Sequence, residues 1–355
     1  MPRLYSNLKF LEHRTQIEAL KRHEIVAPVH VRIKPINRCN HSCWYCAYRA
    51  RALHLGEDMD LEDRIPEDKM FEIVDDLIDM GVKAVTFSGG GEPLIYKRLP
   101  EVVERLGAGG IRVASLTNGS NLKGAMADAF ARWGTWIRVS LDAWDGRSYA
   151  ASRGVPDDAY RKLLENMRAF RARGSACVLG VSFIVSRDNH DHIFEVCKTL
   201  KDIGVNHVKL SGAIVANDMR ANNLYHQAIA AVVGEQIGKA RQRLACDDFA
   251  VVDHYHEMDE LFDKTYDRCP FLQFLTVIGA DCAVYACQDK AYTDAGRLGS
   301  IRDQSFKSFW FSDANRERLY GLDPSTACRH HCVAHGKNLA ITELLTIDPA
   351  HAAFV

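Results

Sequence analysis

Hydrophobic and polar positions along the chain fall into two alternating rhythms. From Pro28 to Ile36, Val29, Val31 and Ile33 lie on one side and His30, Arg32 and Lys34 on the other, the two-residue period of a strand. The period then lengthens. Met70, Val74, Leu77 and Ile78 recur at three- and four-residue spacings, behind Pro66 and ahead of Gly81, which predicts a helix with a proline start and a glycine stop. A second strand is expected over Val82–Ser88. The two rhythms then repeat: helix Leu99–Leu106, strand Ile111–Thr117, helix Leu122–Trp133, strand Trp136–Leu141, helix Tyr160–Phe170, strand Val178–Val185. A helix carrying Ile193, Phe194, Cys197 and Leu200 and a strand over Val205–Leu210 complete the series.

Six strands separated by helices predict parallel pairing through right-handed crossovers, because each helix must carry the chain back before the next strand begins. The expected fold class is α/β, a curved parallel sheet or partial (βα)6 barrel. Its functional end lies where the strands finish and the loops leave. A further amphipathic helix is expected from Asn222 to Leu244, then a polar, His-containing break over Asp253–Asp267. The predicted organisation is an N-terminal helical extension over residues 1–27, the βα body over 28–221, linking helices over 222–268 and a cysteine-bearing domain over 269–355. Gly109-Gly110 reads as a turn.

The 355 residues are 47% hydrophobic and 26% charged, enough to bury a core and too apolar for long disorder. Lys and Arg (45) nearly balance Asp and Glu (46), so no net field favours nucleic acid or anionic lipid. No stretch approaches the roughly 18 apolar residues of a membrane span, and the opening MPRLYSNLKFLEHRTQ has no apolar signal-peptide core. A cytoplasmic location is expected. Eleven cysteines are many for a compartment that keeps thiols reduced, so their clustering points to metal or redox chemistry.

Directly after the first strand stands Cys39-Asn-His-Ser-Cys43-Trp-Tyr-Cys46, a CxxxCxxC triplet in a loop at a strand's C-terminal end. Soft thiolates suit an iron–sulfur cluster or zinc. Zinc normally takes four ligands, and His41 is the one residue nearby to complete the set. A cubane held by three cysteines leaves one iron open to an outside ligand.

The triplet, with aromatic Tyr45 before its last cysteine, resembles the signature of the radical S-adenosylmethionine (SAM) enzymes. The resemblance implies that Cys39, Cys43 and Cys46 hold a [4Fe–4S] cluster whose fourth iron is chelated by the amino and carboxylate groups of SAM. Supporting segments fall at successive strand ends. Ser88-Gly-Gly-Gly-Glu-Pro93 resembles the segment that holds the methionine amino group, here Gly90, Gly91 and Glu92. Asn118 ends the third strand, and Ser140 and Asp142 the fourth, with Arg153 following; the resemblance places these near the SAM ribose or carboxylate. An Arg fork suits a carboxylate. Ser140 and Asp142 also read as helix caps, and Asn189 is a further SAM-side candidate.

Near the C-terminal end, Cys269, Cys287, Cys328 and Cys332 form a second group, with Cys287 at the exit of an expected hairpin, Ile278–Cys287. Together with Leu298-Gly-Ser-Ile301 and a helix start at Phe306–Trp310, this resembles the SPASM/twitch extension of radical SAM enzymes. The count fits the twitch form, with one auxiliary [4Fe–4S] cluster on these four cysteines; structural zinc is the alternative. Cys282 departs from the pattern, since family members usually carry glycine there. Cys177, Cys246 and Cys282 are candidate hydrogen-atom donors, and Cys197 reads as core. His254, His256, His330 and His331 receive no specific role.

The resemblance implies reductive cleavage of SAM to methionine and a 5′-deoxyadenosyl radical that takes a hydrogen atom from a substrate. A flavodoxin- or ferredoxin-type protein is the expected electron donor. The 38 residues before Cys39 are too few for the winged-helix domain with which many peptide-modifying members grip a leader. The expected substrate is therefore a small polar molecule, a carbohydrate, amino-sugar or nucleotide-sugar, bound between the barrel mouth and the twitch domain. A peptide- or protein-modifying maturase, a non-catalytic metal-binding protein and an RNA-modifying enzyme are the alternatives.

Overall fold

The computed structural model describes residues 5–50, 53, 55–257, 264–351 and 354. It has the expected α/β architecture. After helix α1 (Arg14–Arg22), strand β1 (His30–Ile33) opens an alternating series: α2 (Glu67–Asp79), β2 (Ala84–Phe87), α3 (Leu99–Ala108), β3 (Arg112–Thr117), α4 (Gly124–Trp133) and β4 (Gly134–Ser140). It continues through α5 (Gly146–Arg153), α6 (Asp158–Arg171), β5 (Val178–Val185), α7 (Ile193–Ile203) and β6 (His207–Gly212). The six strands pair in chain order and in parallel, β1 to β6.

One face of this sheet explains its stability. Val31, Ile33, Val85, Phe87, Ile137, Val139, Val181, Phe183, Val208 and Leu210 are fully buried in one core with Leu77 of α2, Phe130 of α4, Met167 of α6 and Leu200 of α7. Each such side chain contributes roughly 1.5–3 kcal/mol on leaving water. Their strand neighbours point to the opposite face.

The chain departs from the expected pattern in three places. The region expected as one helix is two, α8 (Met219–Gln227) and α9 (Ala230–Leu244), and α8 starts where Asp218 accepts from the Ala221 N–H. A seventh parallel strand, β7 (Ala250–Asp253), then pairs with β6 just ahead of the expected polar break over Asp253–Asp267, of which residues 258–263 lie outside the described residues. Four residues carry too few alternations to read as a strand from the sequence. The polar helix α5 was also not expected; its start is fixed by the reciprocal Asp145–Ser148 capping box.

The cysteine-bearing end continues the same sheet. Strand β8 (Leu275–Ile278) pairs in parallel with β1, on the side away from β2. The hairpin with β9 (Ala283–Tyr285) and the antiparallel strand β10 (Arg297–Ser300) complete a ten-stranded sheet ordered β10-β9-β8-β1-β2-β3-β4-β5-β6-β7. Helices α10 (Phe306–Trp310), α11 (Asp313–Gly321), α12 (Pro324–Ala327) and α13 (His335–Thr346) follow. Phe10 and the α1 residues Ile17 and Leu20 pack on Phe274 and on Ile341 of α13, fastening the two ends of the chain together. No helix among the described residues is long and apolar enough to cross a membrane.

Candidate active site at the mouth of the sheet

The triplet loop leaves β1 against the glycines that follow β2. Gly91 donates to Ile36 O (3.1 Å) and Glu92 to Arg38 O (2.9 Å). A Cβ on Gly91 would lie 1.8 Å from Arg38 O, so it must be glycine for the two backbones to meet, and one on Gly90 would lie 2.1 Å from the Asn37 side-chain oxygen. The buried Glu92 carboxylate accepts from Leu94 N (3.0 Å), Thr117 Oγ1 (2.5 Å) and Asn118 N (2.7 Å). Asn118 in turn donates to Asn40 Oδ1 (2.8 Å). Glu92 thus ties β2 to the end of β3, and Asn118 ties β3 to the triplet loop.

Asp142 and Arg153 hold the loop's other side. Asp142 follows β4 with a left-handed backbone (φ 60°), and its Oδ2 accepts from Arg153 Nη2 (2.5 Å) and from Tyr45 Oη (2.6 Å). Its Oδ1 accepts from Ile184 N (2.5 Å), and Asn189 donates to its main-chain oxygen (3.0 Å). Burial pushes the Asp142 carboxyl up, while Arg153, Tyr45 and the Ile184 N–H pull it back. Arg153 also donates to Leu141 O (3.2 Å) and directs Nη1 at Cys43 Sγ (3.7 Å). Ser42 N meets Arg153 O at 2.8 Å.

Tyr45, Asp142 and Asn189 line a cavity of about 210 Å³ at the ends of β4 and β5. Its other walls include Trp44, Trp144 and Ser186, which the sequence did not single out. Trp144 is held in place by stacking on His192, ring centroids 3.9 Å apart. Ser140 ends β4, half-buried. At the neighbouring end of β2, the buried Ser88 Oγ has no hydrogen-bond partner.

The three thiols share this mouth. Burial raises the pKa of Cys39 and of Cys43; the charge of Cys43 acts on Cys39 and that of Cys46 on Cys43 in the same direction. Among the described residues no three His, Cys, Asp or Glu side chains already surround a single point as a ligand set. The donor chemistry is nonetheless that of a thiolate-bound cluster: neighbouring sulfurs that repel when ionised are stabilised together by a cation, which deprotonates a coordinating thiol outright.

Residues 33–200 match the model of the radical SAM superfamily. The chain carries a radical SAM domain. It is 30% identical over 211 residues to the pre-heme d1 synthase of Dinoroseobacter shibae, covering 59% of this chain and 47% of that protein. It is 23% identical over 312 residues to the Fe-coproporphyrin III synthase of Methanosarcina barkeri, covering 80% and 74%. The chain thus spans about half the length of the first of these relatives. Among solved structures, Streptococcus suis SuiB bound to its precursor peptide SuiA superposes with a TM-score of 0.62 at 18% identity, over 94% of this chain and 78% of that one. Radical SAM proteins use a [4Fe–4S] cluster and SAM, and the thiols, the cavity and the unbonded Ser88 hydroxyl described above fit both.

The cysteines of the second group also lie near enough to act on one another. Cys332, Cys269 and Cys328 all act electrostatically on Cys287, and Cys332 and Cys328 on Cys269. Burial pushes Cys269 up to about 12 and Cys332 to about 11, and raises Cys287 well above its ordinary value. Asn338 of α13 meets Cys269 Sγ at 3.3 Å. The two cysteine groups are joined through a residue pair that sequence reading passed over. Buried Lys34 donates to Tyr48 Oη (2.6 Å) and to Gly89 O, and Tyr48 Oη donates to Gln288 O (2.9 Å), one residue after Cys287.

The remaining candidates lie elsewhere. Cys177 and Cys246 precede β5 and β7, at the sheet end opposite the triplet loop, and Cys177 is buried while Cys246 is exposed. Cys282 occupies the β8–β9 turn with φ 59°, the conformation that glycine would take without strain. Its side chain is buried in the apolar core beneath the sheet, near Arg302, Asp281 and Lys69 rather than the other cysteines. Cys177 and Cys246 thus stand away from the mouth, and Cys282, in a turn at the mouth's end of the sheet, directs its side chain into the core. His254 pairs with Glu257 and His256 with Asp253; Cys197 is core, as read from its helix face.

Proposed function

We propose that this protein is a radical SAM enzyme that removes a hydrogen atom from a small polar substrate, of the carbohydrate or nucleotide-sugar class. The observation that carries the reading is the triplet loop, pinned at the mouth of a parallel sheet by Asn118, Arg153 and Tyr45. Cys39, Cys43 and Cys46 would hold the cluster, which when bound supplies the electron that splits SAM into methionine and a 5′-deoxyadenosyl radical. The cavity between Trp44, Trp144 and Asn189 would take the adenosine side of SAM, and the glycine loop at Gly90 the methionine side.

The chain's own contribution is position and exclusion of solvent. Tyr45 and Arg153 leave the Asp142 carboxylate saturated, so these residues would hold the loop rather than titrate during turnover. Cys269, Cys287, Cys328 and Cys332 would hold an auxiliary [4Fe–4S] cluster on the far side of Lys34 and Tyr48 from the first. A flavodoxin- or ferredoxin-type protein would supply the electron.

The test is anaerobic reconstitution with iron and sulfide, followed by SAM and dithionite. Formation of 5′-deoxyadenosine by the wild type and not by Cys43→Ala supports the reading. Equal product from both proteins, or none from either, sinks it.

A further inference from the structure

Strands of a parallel sheet buried on both faces normally read as continuous apolar runs. Here the inward face does not. Arg32 of β1 and Lys34 directly after it, Arg138 of β4 and His207 and Lys209 of β6 alternate with the buried apolar residues of their strands and so share the face turned from the helices. Arg138 and His207 stand on either side of Gly180, to which both are paired in register, and a Cβ there would strike the His207 ring at 2.3 Å. Arg32 and Arg138 lie close enough to repel each other, and both act on Lys209, as does Lys337 from α13.

These cations are short of anions. The carboxylates that act on them are Asp289, toward Arg32 and Lys34, and Glu257, toward Lys209, and Glu257 already pairs with His254 at 2.8 Å; the Cys287 thiol also acts on Arg32 and Lys34, and the Cys46 thiol on Lys34. The Nε atoms of Arg32 and Arg138 are buried with no hydrogen-bond partner. Arg138 spends Nη1 on Tyr5 Oη (3.0 Å), which in turn meets His207 Nε2 (3.1 Å). Gathering like charges beneath a low-dielectric sheet is costly unless an anion joins them, and a guanidinium presents a fork matched to carboxylate or phosphate.

We infer that the interior of the sheet is the substrate site and that it takes an anionic group, carboxylate or phosphate, between Arg32, Arg138 and Lys209. This rests on the radical SAM reading for what happens next to the bound molecule, and it narrows the substrate: a phosphorylated or carboxylated sugar, such as a nucleotide-sugar, fits the site, whereas an amino-sugar would meet like charge. Lys34, acted on by both Cys46 and Cys287, marks the end of the site nearest the two cysteine groups.

The test reads binding without turnover. Thermal unfolding of the anaerobic holoprotein is followed with inorganic phosphate, succinate, glucose or galactosamine at millimolar concentration. Phosphate or succinate is expected to raise Tm by about 3 °C or more, glucose and galactosamine to leave it unchanged, and whichever anion acts identifies the group. Lys209→Met and Arg138→Gln should each remove most of the rise, and Lys209→Arg should keep it. No rise in the wild type, or an equal rise in both neutral variants, overturns the site. Should one neutral variant fail to fold, the other and Lys209→Arg still decide. A protein that binds the anion yet never forms 5′-deoxyadenosine refutes the radical reading alone; one that cleaves SAM with no anion response refutes this inference alone.

Discussion

Arg153 Nη2 lies 2.5 Å from Asp142 Oδ2, with both side chains almost wholly shielded from water, 3% and 2% exposed. The pair joins α5 to the end of β4, and through Tyr45 and the contact with Cys43 it also fixes the triplet loop. A buried pair is expensive to break from one side because the remaining charge stays desolvated. Arg153→Met is expected to lower stability by about 3–5 kcal/mol, measured by urea unfolding, and to weaken iron retention at the first site. Asp142→Asn keeps a residue tolerant of φ 60° and should cost less than Asp142→Ala. Equal stability of Arg153→Met and wild type would show that the pair holds nothing.

Glu92 presents a different case, a carboxylate whose partners are neutral donors. In Glu92→Gln the amide nitrogen must face a backbone donor, the Leu94 or the Asn118 N–H, so at least one buried bond is lost. The expected cost is about 1–3 kcal/mol, with faster loss of iron under chelator because Asn118 no longer steadies Asn40. An unchanged chelation rate would separate Glu92 from the loop.

Iron content distinguishes the two cysteine groups. Two cubanes predict about eight irons per chain, and Cys287→Ser should leave about four. Cys282→Ser should leave the full complement, since its thiol lies in the apolar core away from the other cysteines. Zinc in the wild-type second site would overturn the auxiliary-cluster assignment.

Lys209 gives a pH signature. Burial, then Arg138, Arg32 and Lys337, pull its pKa from 10.5 to about 7, against the pull of Glu257; the Tyr5 ring, His254 and His331 also face it. Below about pH 7 both folded and unfolded states carry the proton and the full penalty is present. Between there and about 10.5 the unfolded chain binds more protons, so stability rises with pH. Subtracting the Lys209→Met profile isolates this group. The difference should climb over that interval without ligand and flatten with a saturating anion; a difference that falls with pH would mean that the folded protein favours the charged lysine.

Tyr48→Phe removes the hydroxyl that joins Lys34 to the Gln288 carbonyl. It is expected to shift the redox midpoint of the proposed auxiliary cluster, read by potentiometric titration, while iron content stays near that of the wild type. Unchanged midpoints would make the bridge purely structural.

Alternation along β1 to β6 was readable because each strand is long enough to repeat its period, and the apolar half of that period is what the helices cover. β7 was not readable, since four residues beside a polar segment take strand form only because β6 offers them an open edge. The pairing of β8 with β1 was hidden for a related reason: which edge a hairpin joins depends on contacts some 245 residues apart in the chain, such as His30 with Leu275, and no local pattern encodes it.

At the site, the sequence alone determined that three thiols of the triplet stand together, because their spacing within one loop is short, and that the glycines permitting close approach sit in one run. Tertiary structure decided what the acids do. Asp142 and Glu92 are polar residues at strand ends in the sequence; only the folded chain brings Tyr45, Arg153, Ile184 and Thr117 onto their oxygens. It also decided the charge of the interior. A net balance of one unit says nothing of where charges go, and only the folded sheet collects Arg32, Arg138 and Lys209 on one face, with Asp289 near Arg32 and Glu257 near Lys209 as the carboxylates that act on them.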